Sequence, residues 1–245
     1  GSLGMTLLEV CVADPQSLIA AVAGGGQRIE LCSALELGGV TPSPGLMRLA
    51  AEAPIPVYAI VRPRSGDFVY DAADLDCMYR ELDTIRAFGL AGVVLGASLG
   101  DGRLDAATLE KLVRHSEGLG TTLHRAFDLV PDVAEAVELA VSLGFERILT
   151  SGGAPTAPEG VEGLAAAMEA ADGRIGIMAG SGLRADNVRA LLDRIPLEEV
   201  HSSCAVAVPS RGEAAMRLGF AASTRKQTSA EAVRAFRTAI QAPAL

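Results

Sequence analysis

The chain has 245 residues, an apolar fraction of 49% and a formal net charge of −9, with six Phe, three Tyr and no Trp. The apolar fraction is too high for a disordered chain, and the acidic, aromatic-poor composition argues against binding to nucleic acid or an anionic membrane. The longest uncharged run, residues 87–100, is too short and too rich in glycine for a transmembrane helix.

The residues before Met5, Gly1 to Gly4, are typical of an expression remnant, so we expect a single domain over residues 5–245. No export signal is recognisable, and the four cysteines are scattered without a C-x-x-C pair. These features predict reduced thiols and a cytoplasmic location.

Eight short apolar runs recur along the chain at intervals of roughly 20–35 residues, which is the length of a βα unit. They are continuous rather than alternating, as is typical of strands buried on both faces of a parallel sheet. The predicted strands are residues 7–12, 28–32, 57–61, 92–95, 121–125, 147–150, 175–179 and 199–202.

Helical patterns separate these runs. Asp14 followed by Pro15 predicts the start of the first helix, because Asp caps a helix N-terminus and proline favours its first position. Apolar stripes at helical spacing predict further helices at residues 71–89, 133–144, 188–195 and 230–240.

The alternation of eight strands with helices predicts a single (β/α)8 TIM-type barrel in the α/β class. The alternative is a doubly wound open sheet, which we weigh less because no G-x-G-x-x-G follows the first strand.

Charged residues interrupt the apolar strands or follow their C-terminal ends, where the reactive side chains of barrel enzymes lie. Glu9 and Glu30 lie inside strands, and a buried charge is costly unless it is paired. Guanidinium groups are natural partners for them, and the candidates are Arg62, Arg64 and Arg125. One interpretation is a structural ion-pair network that fills the barrel, and the other is acid/base chemistry beside an anion clamp. For the second interpretation, the candidate catalytic residues are Glu9, Glu30, His124 and Asp128.

The loops after the seventh and eighth strands of barrel enzymes often bind phosphate through backbone N–H groups. Glycine-containing segments occupy these loops here, although tight turns explain such glycines equally well. The candidate anion-binding residues are Arg62, Arg64, Arg125, Ser151, Gly152, Gly180, Gly182, His201 and Ser202. No nucleotide-cofactor motif is present, and the Cys and His spacing gives little support to a zinc site.

Two cysteines lie in predicted strands. Alternation along the first strand places Cys11 on the same face as Glu9, and alternation along the second places Cys32 on the same face as Glu30. If both faces point inward, the two thiols are near neighbours at the top of the barrel, and a pair of thiolates suits Cu(I). Simple packing is the alternative, since free cysteine is among the most buried residue types. The cysteines and histidine expected to have no chemical role are Cys77, Cys204 and His115.

Several motifs follow one another along residues 8–203. They are LEVC at 8–11, RIELC at 28–32, GGVTPS at 38–43, RPRSGDFVY at 62–70, HRAFD at 124–128, LTSG at 149–152, MAGSG at 178–182 and EVHSS at 199–203. Together and in this order they resemble the CutC copper homeostasis family. One departure is Leu37, because in the family a glutamate usually precedes the Gly-Gly of this loop, and here Glu36 lies one residue earlier.

The resemblance implies a TIM-like barrel in a cytoplasmic protein linked to copper tolerance or trafficking, with Cu(I) proposed to bind Cys11 and Cys32. A copper carrier has no evident use for the arginines and histidine at the strand ends. The second hypothesis is therefore an uncharacterised barrel enzyme that acts on a small anionic or phosphorylated metabolite. The expected partner is the copper ion or this small anionic ligand, and we expect a homo-oligomer.

Overall fold

The structure is a computed structural model that describes residues 5–241, so the predicted expression remnant Gly1 to Gly4 lies outside the described residues. The barrel strands are β1 Leu7–Val12, β2 Arg28–Leu31, β3 Val57–Ile60, β4 Gly92–Leu95, β5 Gly120–Leu123, β6 Arg147–Thr150, β7 Gly176–Ala179 and β8 Glu199–Ser202. They are parallel and pair in chain order, and the pairing of β1 with β8 closes the barrel. The predicted (β/α)8 barrel is therefore confirmed, and the open-sheet alternative is excluded.

Helices connect the strands. They are α1 Pro15–Gly24, α2 Pro44–Ala51, α3 Ala72–Ala87, α4 Ala106–His115, α5 Val133–Leu143, α6 Val161–Ala171, α7 Val188–Arg194, α8 Glu213–Arg217 and α9 Ala230–Gln241. Short 3-10 turns lie at Leu35–Leu37, Arg125–Leu129 and Pro158–Gly160. Within residues 5–241, no helix combines the length and the apolar composition needed to cross a membrane.

The ends of these helices obey local capping rules. Asp14 accepts a hydrogen bond from the backbone N–H of Ser17 at 2.7 Å and so begins α1. Asp71 and Asp74 form a capping box at the start of α3, in which each carboxylate accepts from the other residue's backbone N–H. Gly144 ends α5 in the left-handed conformation, with φ 83°.

Each barrel strand alternates between two environments. In β1, Leu8, Val10 and Val12 are fully buried in the main hydrophobic core that the helices share. Because side chains alternate along a strand, Glu9 and Cys11 point into the barrel interior. The same alternation turns Arg28 and Glu30 of β2 inward, which meets the condition that the sequence left open for Glu30.

Between β8 and α9 the chain forms an antiparallel pair of strands outside the barrel, β9 Ala205–Pro209 and β10 Thr224–Thr228. The helix α8 lies between them in the sequence. The strand prediction missed this pair: β10 has no apolar run, and the short apolar run of β9 follows β8 too closely to begin another βα unit. Two large apolar side chains are exposed between its strands, Leu218 at 66% and Phe220 at 85%.

Candidate functional site

A cavity of about 880 Å³ opens at the C-terminal ends of the barrel strands. Its wall includes side chains from five strands or from the residues that follow them, namely Cys11, Glu30, Arg62, His124 and His201. The cavity lies where barrel architecture holds reactive and binding groups, so residues far apart in the sequence meet there.

Three buried side chains with metal-binding atoms meet in this wall. The Sγ of Cys11, a carboxylate oxygen of Glu30 and an imidazole nitrogen of His201 all lie within 4.8 Å of one another. Strand register explains the meeting, because Cys11 is the direct partner of Glu30 across β1 and β2. On the other side of β1, His201 is the direct partner of Glu9. The three atoms are close enough to bind one metal ion.

Glu9 fixes the orientation of His201. Its Oε1 lies 2.8 Å from Nδ1 of His201, and its Oε2 accepts a hydrogen bond from Nε of Arg28 at 2.6 Å. Burial alone would raise the pKa of Glu9, but the hydrogen bond from His201 and the charge of Arg28 lower it to about 2. Burial alone would lower the pKa of His201, whereas the neighbouring Cys11 and Glu9 raise it well above its usual value. Glu9 and His201 therefore form a buried ion pair.

An ion-pair network fills the barrel below the cavity. Arg28 bridges Glu9 and Glu199, and its contact with Glu199 is 2.8 Å long. Arg147 pairs with the same Glu199 at 3.1 Å. The ring of Tyr58 lies 5.6 Å from the guanidinium carbon of Arg28 and 5.0 Å from that of Arg147. Glu9 therefore belongs to an ion-pair network, and a catalytic role for it stays a prediction.

The partner of Glu9 differs from those that the sequence suggested. Arg28 neutralises Glu9, in place of the three arginines at the strand ends. Arg28, Arg147 and Glu199 were missed because each is the first residue of its strand, far from the C-terminal rim. A signal was present, since Arg28 precedes Glu30 by two residues and alternation places both inside the barrel.

Cys32 directly follows β2 and is fully buried. Its Sγ donates a hydrogen bond to Oε1 of Glu30 at 3.2 Å, and it packs against apolar side chains of β3 and β4. Burial and the neighbouring Glu30 raise the pKa of the Cys32 thiol well above its usual value. The register makes Glu30, rather than Cys32, the neighbour of Cys11 in the next strand. A metal site formed by Cys11 and Cys32 stays a prediction.

Arg62 is held in the cavity wall by backbone carbonyls. Its Nη1 donates to the carbonyls of Leu37 and Gly39 at 2.7 and 2.8 Å. Its Nη2 donates to the carbonyl of Gly66 at 2.8 Å. The ring of Phe68 lies 5.3 Å from the guanidinium carbon. Leu37 therefore binds Arg62 through its backbone, a contact that does not depend on the side chain at this position.

His124 forms another part of the wall. Its Nδ1 accepts a hydrogen bond from the backbone N–H of Ala126 at 3.0 Å, so the proton of the neutral imidazole is on Nε2. Burial, with the charge of Arg62 adding to it, lowers the pKa of His124 to about 3. The ring lies against Gly96, where a Cβ would overlap the imidazole. Glycine at position 96 thus makes room for His124, a requirement that sequence reasoning missed.

Arg64 lies outside the cavity wall. It is half-exposed, and its guanidinium contacts the carboxylates of Asp67 and Asp74 at 3.2 Å. It also donates to the carbonyl of Val69 at 2.7 Å. These contacts fix the loop before α3. Because Arg64 does not line the cavity, an anion clamp that uses it stays a prediction.

Asp128 ties the loop after β6 to the 3-10 turn that contains it. It accepts hydrogen bonds from Nε of Arg125 at 2.7 Å and from Oγ1 of Thr150 at 2.6 Å. The backbone N–H of Ser151 donates to the same carboxylate at 3.1 Å, and that of Gly152 donates to Thr150 Oγ1 at 2.9 Å. With both carboxylate oxygens occupied, Asp128 positions Arg125, which lines the cavity.

In the loops after β7 and β8, local packing and hydrogen bonds account for the glycines and for Ser202. Gly180 packs against His201, and Gly182 adopts a left-handed φ of 72°. Ser202 lines the cavity, but its Oγ donates to the carbonyl of Leu183 at 2.9 Å. The tight-turn interpretation accounts for this loop, and a phosphate site there stays a prediction.

The other cysteines and the third histidine lie outside the metal-binding cluster. Cys77 is exposed on α3, Cys204 is buried beyond β8, and all four cysteines are free thiols. His115 contacts Asp83 at 2.8 Å on the surface.

Residues 6–206 match the model of the CutC family. A family protein CutC from Rhizobium meliloti (strain 1021) is 61% identical over 237 residues, which cover 97% of each chain. A family protein CutC from Caulobacter vibrioides (strain NA1000 / CB15N) is 54% identical over 94% of this chain and 97% of the relative. The crystal structure of CutC from Streptococcus agalactiae, provisionally described as a copper homeostasis protein, has a TM-score of 0.78 and 31% identity and covers 81% of this chain and 99% of that one.

Proposed function

This chain belongs to the CutC family, and on that premise we propose that it serves copper homeostasis by binding one Cu(I) ion at the mouth of its barrel. The observation that carries the proposal is the meeting of Cys11, Glu30 and His201, whose ligand atoms lie within 4.8 Å of one another. Copper is here the cargo of the protein.

The chemistry of these donors fits a soft cation. Cu(I) favours soft ligands, and the Cys11 thiolate and the His201 imidazole supply sulfur and nitrogen. Because Nδ1 of His201 is bound to Glu9 at 2.8 Å, Nε2 is the nitrogen that would face the ion. A carboxylate on the second nitrogen is the usual support of a metal-bound histidine.

Glu30 and Cys32 have supporting roles in this proposal. Glu30 is a harder donor that completes the site, and the Cys32 thiol holds it through the 3.2 Å hydrogen bond. The competing arrangement is the pair of Cys11 and Cys32, in which Cys32 leaves Glu30 to bind the ion.

An anaerobic Cu(I) titration against a chromophoric chelator tests the proposal. We expect wild type and the exposed-thiol control Cys77→Ser to bind one ion per chain, and Cys11→Ser to lose binding because a ligand is gone. Cys32→Ser should weaken binding by about tenfold, the effect of removing a group that supports a ligand.

Three results would count against parts of this proposal. Equal affinity of wild type and Cys11→Ser overturns a direct role in copper binding. Binding of Zn²⁺ without Cu(I) overturns the choice of metal. Complete loss in Cys32→Ser favours the pair of thiolates.

A barrel enzyme that acts on a small anionic metabolite is the second candidate. The cavity of about 880 Å³ has room for a metabolite and is far larger than one metal ion requires. Glu9 orients His201, whose raised pKa suits a proton donor to a substrate bound beside Cys11. A rise in the melting temperature of the copper-free protein with an anionic metabolite would support this candidate, and a screen without any stabilising compound would count against it.

Two wider expectations belong to the proposal. The four free thiols are consistent with a reducing compartment, and we propose a cytoplasmic location, which cell fractionation tests. We also propose a homo-oligomer, for which sedimentation velocity gives the number of subunits.

A further inference from the structure

Two buried N–H donors in the cavity wall have no acceptor. They are Nε of Arg62 and Nε2 of His124, and these residues are only 6% and 5% exposed. The other unpartnered buried side-chain atoms within residues 5–241 belong to residues outside the cavity wall. A buried donor without a partner is destabilising, so each of these N–H groups would be stabilised by an acceptor atom that a ligand brings to the cavity wall.

Arg62 also carries a charge that no carboxylate in the described part of the chain neutralises. The other arginines of the barrel interior and strand ends that pair with a carboxylate are Arg28, Arg64, Arg125 and Arg147. Arg62 instead meets three carbonyl oxygens through Nη1 and Nη2. Because a buried guanidinium is costly without a counter-charge, we expect the ligand to supply the negative charge.

His124 adds a neutral donor to this cation. Its Nδ1 accepts from the backbone N–H of Ala126 at 3.0 Å, which leaves the proton on Nε2. Burial and the charge of Arg62 lower its pKa to about 3, so the ring is uncharged at neutral pH. The ring centre of Phe68 lies 4.8 Å from that of His124 and 5.3 Å from the guanidinium carbon of Arg62. The pair therefore offers two N–H donors and one positive charge.

We propose that Arg62 and His124 form a carboxylate-binding site that anchors a small organic acid in the cavity. A carboxylate has one negative charge and two acceptor oxygens, which match one cation and two donors. A phosphate monoester brings closer to two negative charges, which this pair does not balance. Cys11 and His201 line the same cavity, which has room for the rest of a metabolite-sized acid. The inference is independent of Cu(I), because the proposed copper ligands are different residues.

Sodium acetate is the probe, and it replaces sodium chloride at constant ionic strength and pH 7 in the copper-free full chain. The chain has only three histidines, so the Nε2 resonance of His124 can be followed by ¹⁵N NMR during the titration. Melting temperatures are measured in parallel for wild type, Arg62→Gln, His124→Phe and the control Arg64→Gln, which removes a neighbouring arginine outside the cavity.

We expect acetate to shift the His124 resonance saturably and to stabilise wild type and Arg64→Gln equally. Arg62→Gln and His124→Phe should each weaken acetate binding by about tenfold, as the loss of one charge-assisted hydrogen bond predicts. If Arg62→Gln does not fold, His124→Phe and the wild-type titration still decide the matter.

A His124 resonance that does not respond to acetate overturns the site, as does full stabilisation of His124→Phe. A stronger response to inorganic phosphate than to acetate overturns the carboxylate assignment. None of these results depends on copper, so a failure here is distinct from a failure of the Cu(I) titration.

Discussion

Two histidines at the C-terminal ends of barrel strands have opposite protonation states because their neighbours differ. His201 lies 2.8 Å from the carboxylate of Glu9, and its pKa is raised well above the usual value. His124 is buried near the guanidinium of Arg62, and its pKa is lowered to about 3. One ring is therefore half of an ion pair and the other is a neutral hydrogen-bond donor. A histidine's place in the sequence does not distinguish the two states, because the deciding groups lie on other strands.

The low pKa of His124 predicts a loss of stability in acid. In the unfolded chain a histidine titrates near its usual pKa, whereas the folded protein keeps His124 neutral down to a pH of about 3. Protonation therefore favours the unfolded state, and the stability present above about pH 6.5 falls as the pH is lowered. We expect His124 to account for a fall of about 2 kcal/mol in the free energy of unfolding between pH 7 and pH 5.

Urea unfolding of wild type and His124→Asn at these two pH values measures this effect. Between pH 7 and pH 5, the free energy of unfolding of the variant should fall by about 2 kcal/mol less than that of wild type, because asparagine does not titrate. Identical pH dependence of the two proteins would show that His124 is not held neutral.

At the scale of elements, the pairing of β1 with both β2 and β8 builds the interior of the site. Across the pairing of β1 with β2, Glu9 lies directly opposite Arg28. Across the pairing of β1 with β8, it lies directly opposite His201. Glu9 thus links the ion-pair network below the cavity to the metal-binding cluster in its wall. Because these groups are buried, removing one partner leaves an unbalanced charge in a medium of low polarity.

Arg28→Met should therefore strongly destabilise the protein. The side chain keeps its apolar length, but Glu9 and Glu199 each lose a partner, and we expect a loss of about 3–5 kcal/mol in the free energy of unfolding. The matched control is Arg80→Met, which breaks an exposed 3.1 Å pair with Asp76 and should cost at most about 1 kcal/mol.

Chemical denaturation at neutral pH compares the two variants with wild type. Similar costs for Arg28→Met and Arg80→Met would contradict the view that the network holds the barrel interior together.

At the scale of the whole molecule, the closed barrel and the exposed ribbon of β9 and β10 are distinct in their packing. The barrel buries its strands on both faces, whereas most residues of β9 and β10 are partly or fully exposed. The strands of the ribbon pair with each other, and Ala207 lies opposite Lys226. The outer part of the ribbon is therefore expected to add little to the stability of the barrel.

Replacing residues 208–225 with Asn-Gly tests this independence. Ala207 and Lys226 are paired, so a two-residue turn can join them. We expect the melting temperature to change by no more than about 4 °C, which corresponds to about 1 kcal/mol in a domain of this size. Leu218→Ser combined with Phe220→Ser is the control that retains the ribbon backbone. A shortened chain that no longer unfolds cooperatively would show that the barrel needs the ribbon.

The sequence by itself determined where the barrel strands lie and which side chains of a strand share a face. Apolar runs located all eight strands to within two residues, because burial on both faces imposes a local pattern. Alternation then placed Cys11 on the same face as Glu9, and the order of the motifs identified the family.

Only the tertiary structure decided which inward side chains meet. A shift of two residues between neighbouring strands leaves every side chain on the same face, so alternation carries no information about register. The register placed Cys11 beside Glu30 rather than Cys32, and Glu9 between Arg28 and His201. The unpartnered donors of Arg62 and His124 likewise became visible only when every neighbour was in place, because a missing partner is a property of the whole packed molecule.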